Sequence, residues 1–449
     1  MKLGEIDLTN LDLFARGEHH QAWRILRAEA PVFWHERRAG WGFWAVTRYD
    51  DALKVYHDAA RYSSERGISL QFSAVGAPEE QAGFGQMMIM TDPPRHGKIR
   101  SLVNRRLTPR EVAKFEPHIR AITTAVIDAV IEKGECDFVV DVAGKLPTAV
   151  ICDMMGIPRE YWDAMFALGN QSIGTDDPEY QQGRSPAETG MAAQAQVFSL
   201  FSKWIDERRR APREDLISAL IHGDVDGAKL TDLEVLFNCF LLIIGGQETT
   251  RNATSGGILE LINDRGQHAR LKSEPALMPT AIEEFLRWTS PVTHIMRVAK
   301  ADAELRGQRI RAGDKVVIWN GSVNRDEAVF PRPDVFDIAR SPNDHLAFGH
   351  GEHFCIGANL ARLEMRVMIE EVMARMPDLE LGGQVQRLAR TSLRASSTCR
   401  CDSHLTAPAP ARRAPRTGAP PRHIFWIGEA QREKTVSEIF SSVGANSAA

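Results

Sequence analysis

From Thr231 to Asp264 the chain runs "TDLEVLFNCFLLIIGGQETTRNATSGGILELIND", without a proline and with apolar residues recurring at spacings of three and four. Thr231 is a good N-cap, so one continuous helix is predicted, and at 1.5 Å per residue it reaches about 50 Å. A helix of that length crosses an entire domain, and the rest of the chain has to pack around it. Its middle is weak: Gly245 and Gly246 stand side by side, and each costs about 1 kcal/mol relative to alanine inside a helix. A ligand lying close to the backbone, or a local widening of the helix, would offset that cost.

Helical spacing also dominates the stretch from about 92 to 290, as in "PHIRAITTAVIDAVIEKG" and "AAQAQVFSLFSKWIDERRRA". Residues 1 to 66 differ. There "PVFWHERRAGWGFWAVTRYDD" sets aromatic and β-branched runs on either side of a glycine-containing turn, which reads as a hairpin. "RIRAGDKVVIWN" adds a short strand, and "NRDEAVFPRPDVFDIAR" is an irregular segment punctuated by Pro and Asp. The expected fold class is mainly α with a minor β region, in a single domain over residues 1–388.

Lys and Arg number 55 against 59 Asp and Glu, so no global charge excess points to nucleic acid or a membrane surface. Six cysteines in 449 residues are too few for a disulfide scaffold, and the start "MKLGEIDLTNLDLF" is acidic where a leader would be basic and then apolar. A cytoplasmic, reducing setting is expected. The longest apolar run, "FLLII", is far short of the roughly 20 residues that span a bilayer, so no membrane anchor is expected.

The stretch "HLAFGHGEHFCIGANLARLE" sets Cys355 among histidines and glycines and immediately before a helical apolar face made by Leu360, Leu363, Val367 and Met368. The free N–H groups and positive dipole end of a helix start favour a thiolate, and Gly349, Gly351 and Gly357 let the backbone approach something flat and bulky. Zinc held with His345, His350 or His353 lacks a Cys-x-x-Cys pair, a nucleophile lacks an obvious base, and an isolated cysteine is ordinarily a buried, inert thiol.

The arrangement resembles the haem-binding loop of the cytochrome P450 family: Phe348, Gly351, Cys355 and Gly357 match its Phe-x-x-Gly-x-x-x-Cys-x-Gly pattern. The resemblance implies that Cys355 is the axial thiolate on haem iron and that His353 bonds a haem propionate. It extends to "EEFLR" and "FDIAR", implying that Glu284, Arg287 and Arg340 form a buried scaffold, and to "DPPRHGKIR" and "HIMRVAKAD", implying propionate contacts from His96, Arg100 and Arg297. In "GGQETT" it implies room for oxygen at Gly245 and Gly246, and an acid-alcohol pair, Glu248 and Thr249, that directs protons to the reacting oxygen. The family more often has Asp where Glu248 stands.

The fold so implied is the cytochrome P450 fold, and the activity is that of a monooxygenase inserting one oxygen atom from O2 into a small organic substrate, with haem b as cofactor, as a secondary-metabolite tailoring step. The chain is similar to the soluble bacterial class, which implies a monomer served by a separate ferredoxin and an NAD(P)H-dependent ferredoxin reductase. Lys98, Arg105, Arg106, Arg362 and Arg366 are candidates for a basic face meeting that partner.

After Leu388 the composition turns to Ala, Pro, Arg, Ser and Thr without apolar period, so residues 389–449 read as a disordered tail. Cys399, Cys401 and His404 fall within it. If "ARTSLRASSTCRCD" is shifted by one nucleotide, the genetic code permits "RSNFTSGIKHMPVR", which resembles the usual ending of the family. A single-base deletion near the codons for Leu388 and Ala389 would account for the tail. Two alternatives to the active monooxygenase follow: a haem-binding but inactive frameshifted product, and a peroxide-using member of the same fold, against which the acid-alcohol pair argues.

Overall fold

The long helix runs from Asp232 to Asn263 and opens on a capping box: the Glu234 N–H donates to Thr231 Oγ1 (3.2 Å) and the Thr231 N–H to the Glu234 carboxylate (2.8 Å). It is α-helical through Gly245 and Gly246, so the local widening that the sequence allowed does not occur. Close packing replaces it at one of the two glycines, where a Cβ on Gly246 would come within 3.1 Å of Ile151. The structure, a computed structural model, describes residues 1–36, 42–70, 83–175, 178–181, 183–383, 385–387, 396–398 and 400–402.

Helices Lys145–Met154, Trp162–Ile173, Pro186–Arg210, Met278–Thr289 and Ala358–Arg375 all pack against this central helix. It is therefore buried nearly all round, and its polar residues Gln247, Glu248, Arg251 and Asn252 lie in the interior. The main apolar core fills the space between these helices, with Ile243, Phe285, Val367 and Met368 among its members. Among the described residues no helix is long and apolar enough to cross a membrane.

The minor β region begins with the expected hairpin, β1 (Val32–Glu36) antiparallel to β2 (Gly42–Val46); residues 37–41 lie outside the described residues. Short strands follow at β3 (Tyr62–Ser63), β4 (Glu135–Asp137), β5 (Ile295–Ala299), β6 (Ala303–Leu305), β7 (Gln308–Ile310) and β8 (Lys315–Ile318). One sheet has the order β1-β2-β8-β5-β3, in which only β2 and β8 run parallel. It carries Arg297 on β5 toward the helical core.

Glu284, Arg287 and Arg340 meet in the interior. Arg287 makes a two-pronged pair with Glu284 (2.8 Å each), Arg340 Nε donates to the same carboxylate (3.0 Å), and Arg287 Nη1 donates to the carbonyls of Asn324 (2.8 Å) and Pro333 (3.0 Å). The irregular segment before Cys355 is thus tied by its backbone to the helix Met278–Thr289. Such a knot suits side chains that fix a loop with no ladder of its own.

Composition argued for disorder throughout 389–449, and in part the structure differs. Strand β11 (Ser396–Thr398) pairs with β10 (Gln386–Arg387), and β12 (Arg400–Asp402) inserts between β4 and β9 (Glu380–Leu381). Ladder pairing uses main-chain groups, which composition does not register. The rest of that segment, with Cys399 and His404, lies outside the described residues.

Candidate functional site

A cavity of about 250 Å³ separates the middle of the central helix from the Cys355 loop. On the loop side Gly351 has φ +69°, and a Cβ there would lie 2.6 Å from the Tyr56 carbonyl oxygen, so the turn needs glycine. The Cys355 N–H donates to the Phe348 carbonyl (2.9 Å) and closes the loop, after which the helix Ala358–Arg375 departs directly behind Gly357. Burial pushes the Cys355 thiol up, against smaller opposing contributions from the Gly357 N–H, Arg100 and Arg362. The helix start alone was expected to favour a thiolate, and in this apolar setting burial outweighs it.

Beside the cysteine, four basic side chains from separate parts of the chain converge on the cavity: His96, Arg100, Arg297 and His353. The His96 and His353 rings lie against each other, centroids 4.0 Å apart and tilted by 36°, and the second ring is held from behind by Ser64 Oγ, 3.2 Å from its Nε2. Burial, with the neighbouring cations, lowers His96 to about 4 and His353 to about 2, and burial also lowers both arginines. Among the described residues neither Arg100 nor Arg297 has a carboxylate within ion-pair distance, and Nδ1 of each histidine is buried with no hydrogen-bond partner. A group bearing two carboxylates would satisfy all four bases at once, as haem propionates do, with Cys355 as the soft donor for iron. The residues fit haem.

On the facing wall the central helix presents Gly245, Gly246, Thr249 and Thr250 to the cavity. A Cβ on Gly245 would meet nothing within 4 Å, so this glycine leaves open space, whereas Gly246 is packed on Ile151. The Thr249 hydroxyl donates to the Gly245 carbonyl (2.9 Å). Glu248 does not line the cavity. Its carboxylate is buried and paired with Arg251 (3.1 Å), whose guanidinium is anchored by Asn170 (2.6 Å) on the helix Trp162–Ile173. The structure thus sets the acid and the alcohol on different faces of one helix.

The sequence reading missed Glu364, which lines the cavity from the helix behind Cys355. Burial raises its carboxyl to about 8, against a hydrogen bond with Thr250. The signal was available, because Glu364 lies four residues after Leu360 and four before Met368, an acid on an apolar stripe.

A sequence profile of the cytochrome P450 family matches residues 185–377. The steroid C26-monooxygenase of Mycobacterium tuberculosis is 40% identical over 377 residues, covering 84% of this chain and 91% of the relative. The chain belongs to the cytochrome P450 family. The methyl-branched lipid omega-hydroxylase of the same organism is 38% identical over 399 residues, covering 86% of this chain and 92% of the relative. A Mycobacterium marinum cytochrome P450 solved in complex with pseudoionone superposes with a TM-score of 0.83 at 35% identity, covering 88% of this chain and 98% of that one. The protein is accordingly a P450 monooxygenase, an oxidoreductase whose family cofactor is haem.

Away from the four bases, the central-helix threonines and Glu364, the wall of this P450 cavity is mostly apolar, with Ile68, Met88, Ile89, Leu241, Val292 and Ile295. Ile68, Ile89 and Leu241 continue into a cluster of Met87, Met90 and Phe237. Asn320, a polar member of the wall, is already engaged by the Tyr56 hydroxyl (2.8 Å) and the Val292 carbonyl (3.1 Å). Of the basic residues assigned to a partner-facing surface, Lys98 pairs with Asp226, Arg106 donates to the Glu214 carbonyl, Arg362 pairs with Glu283 and Arg366 with Glu116. Arg105 remains exposed.

Proposed function

We propose that this P450 is a haem b monooxygenase that inserts one oxygen atom from O2 into a C–H or C=C bond of a small, neutral, largely apolar substrate, as a tailoring step on a secondary metabolite. The observation that carries the reading is the convergence of His96, Arg100, Arg297 and His353 beside Cys355 in one cavity. When bound, haem supplies the iron that takes up dioxygen and the capacity to cleave it. The four bases would hold its carboxylates, Cys355 would ligate the iron, and Gly245 leaves space on the opposite side. Thr249 presents a hydroxyl to that space, and Glu248, held by Arg251 one turn away, would pass protons toward it on parting from that arginine.

The substrate class follows from the wall. A carboxylate set against Ile89, Leu241 and Val292 would lose several kcal/mol of hydration with no cation left to pair it among the described residues, since the cavity's bases are engaged by haem. Relatives named for steroids and methyl-branched lipids, and a neighbour holding pseudoionone, fit the same class. Electrons would come from a separate ferredoxin and its NAD(P)H-dependent reductase to a cytoplasmic monomer. We read residues 389–449 as the product of a shifted frame, which resequencing tests directly: an intact frame and a native mass matching all 449 residues would refute it.

The decisive experiment is the reduced, carbon monoxide-bound spectrum, followed by substrate-induced spectral shifts across a panel of neutral and anionic compounds and NADPH consumption with a surrogate ferredoxin. The red-shifted band of thiolate ligation is expected, with shifts confined to neutral compounds. A protein that retains no haem ends the reading.

A further inference from the structure

His345 and Arg362 acquire a common partner in the structure. Glu283, on the helix Met278–Thr289, receives Arg362 Nε (2.7 Å) and Nη2 (2.8 Å) from the helix behind Cys355, and His345 Nε2 lies 3.1 Å from it on the loop before Cys355. The tautomer of His345 is fixed by its surroundings: Nδ1 accepts the Ala347 N–H (3.2 Å), so Nε2 carries the hydrogen and donates to Glu283. Although burial raises the Glu283 carboxyl, these donors outweigh it and bring it to about 2.

Held along one edge by Glu283, the Arg362 guanidinium lies over the Phe348 ring, 4.6 Å from its centroid. Phe348 is the residue whose carbonyl accepts the Cys355 N–H (2.9 Å). A chain of contacts thus runs from His345 through Glu283 and Arg362 to Phe348 and the cysteine. Lysine could supply the charge of Arg362 but neither the two parallel bonds nor the flat face over the ring.

We propose that His345, Glu283 and Arg362 form a clamp that positions the Cys355 thiolate by pinning Phe348, and that Arg362 serves this inner role and not a partner-facing one. The inference rests on the haem-thiolate reading above. None of the three residues touches substrate or the reacting atoms; they are positioning residues.

The test follows the lifetime of the red-shifted carbon monoxide band in the full-length haem protein, with folding tracked separately by circular dichroism. His345→Phe, Glu283→Gln and Arg362→Lys are each expected to lose that band about ten-fold faster than wild type, at a temperature where all remain folded. Arg375→Ala, which removes the outward Arg375–Asp128 pair from the same helix, serves as the control for general destabilisation and should keep the wild-type lifetime. Wild-type lifetimes in the three clamp variants, or losses that merely track thermal midpoint across all four, would overturn the proposal. A wild-type protein without the red-shifted band would instead remove the haem-thiolate reading, and this inference with it.

Discussion

At the level of single residues, Arg297 is a guanidinium buried on a β-strand with no carboxylate at ion-pair distance among the described residues, its Nη1 turned to its own neighbour's carbonyl, that of Met296 (2.9 Å). Such a group is costly unless a charged ligand completes it, and a charge-assisted hydrogen bond contributes about 1.5–3 kcal/mol. Arg297→Ala should therefore release haem to apomyoglobin at least about ten-fold faster than the wild type. Glu364 gives a pH prediction. Its folded-state pKa of about 8 lies above the unfolded value of 4.5, so the folded state favours the protonated carboxyl. Its contribution to stability is complete below pH 4.5 and lost as pH rises toward 8. Glu364→Gln, which cannot ionise, should raise the thermal midpoint more at pH 8.5 than at pH 5; an equal effect at both values would disprove the assignment.

Among the elements, the helix Met278–Thr289 is the one from which the loop before Cys355 hangs, through Glu284 and Arg287 on one side and Glu283 on another. Removing one member of a fully buried ion pair leaves the other uncompensated and costs about 3–5 kcal/mol. Glu284→Ala, which takes the shared carboxylate from both Arg287 and Arg340, should accordingly lower the unfolding free energy by about that amount in urea titrations, with haem content falling in parallel. Thr231→Ala at the start of the central helix should cost only about 1 kcal/mol, because the helix is held mostly by what packs around it.

These elements differ in how legible they were. The central helix, the hairpin and the Cys355 loop were readable because their signals are local: a repeated spacing, a turn between two runs, a motif within ten residues. Facing was harder. Glu248 and Thr249 are adjacent in sequence and read as a pair, yet adjacent helical positions point about 100° apart, and the structure turns one to Arg251 and the other to the cavity. The contacts of Glu283 with His345 and Arg362 span 62 and 79 residues, and no periodicity encodes them.

For the molecule as a whole, the described framework of helices and mixed sheet is that of the P450 family, and the described residues beyond Leu388 contribute short pairings at β11 and β12. A chain carrying "RSNFTSGIKHMPVR" in place of "ARTSLRASSTCRCD" is expected to melt at a higher temperature and to retain more haem per chain than this one. Equal midpoints and haem content would argue that the present ending is native.

The central helix also fixes what kinds of change this protein can survive. Because Gly245 and Thr249 face the cavity while Glu248 faces Arg251 and Asn170, the two halves of the site are separated by angle alone. One residue inserted between Asp232 and Gly245 would advance everything beyond it by 1.5 Å and turn it by about 100°. That would bring Glu248 to the place on the cavity wall that Thr249 now holds and carry Arg251 out of register with Asn170. In any lineage that keeps the activity, substitutions along this stretch that preserve its packing should be tolerated while insertions and deletions are eliminated.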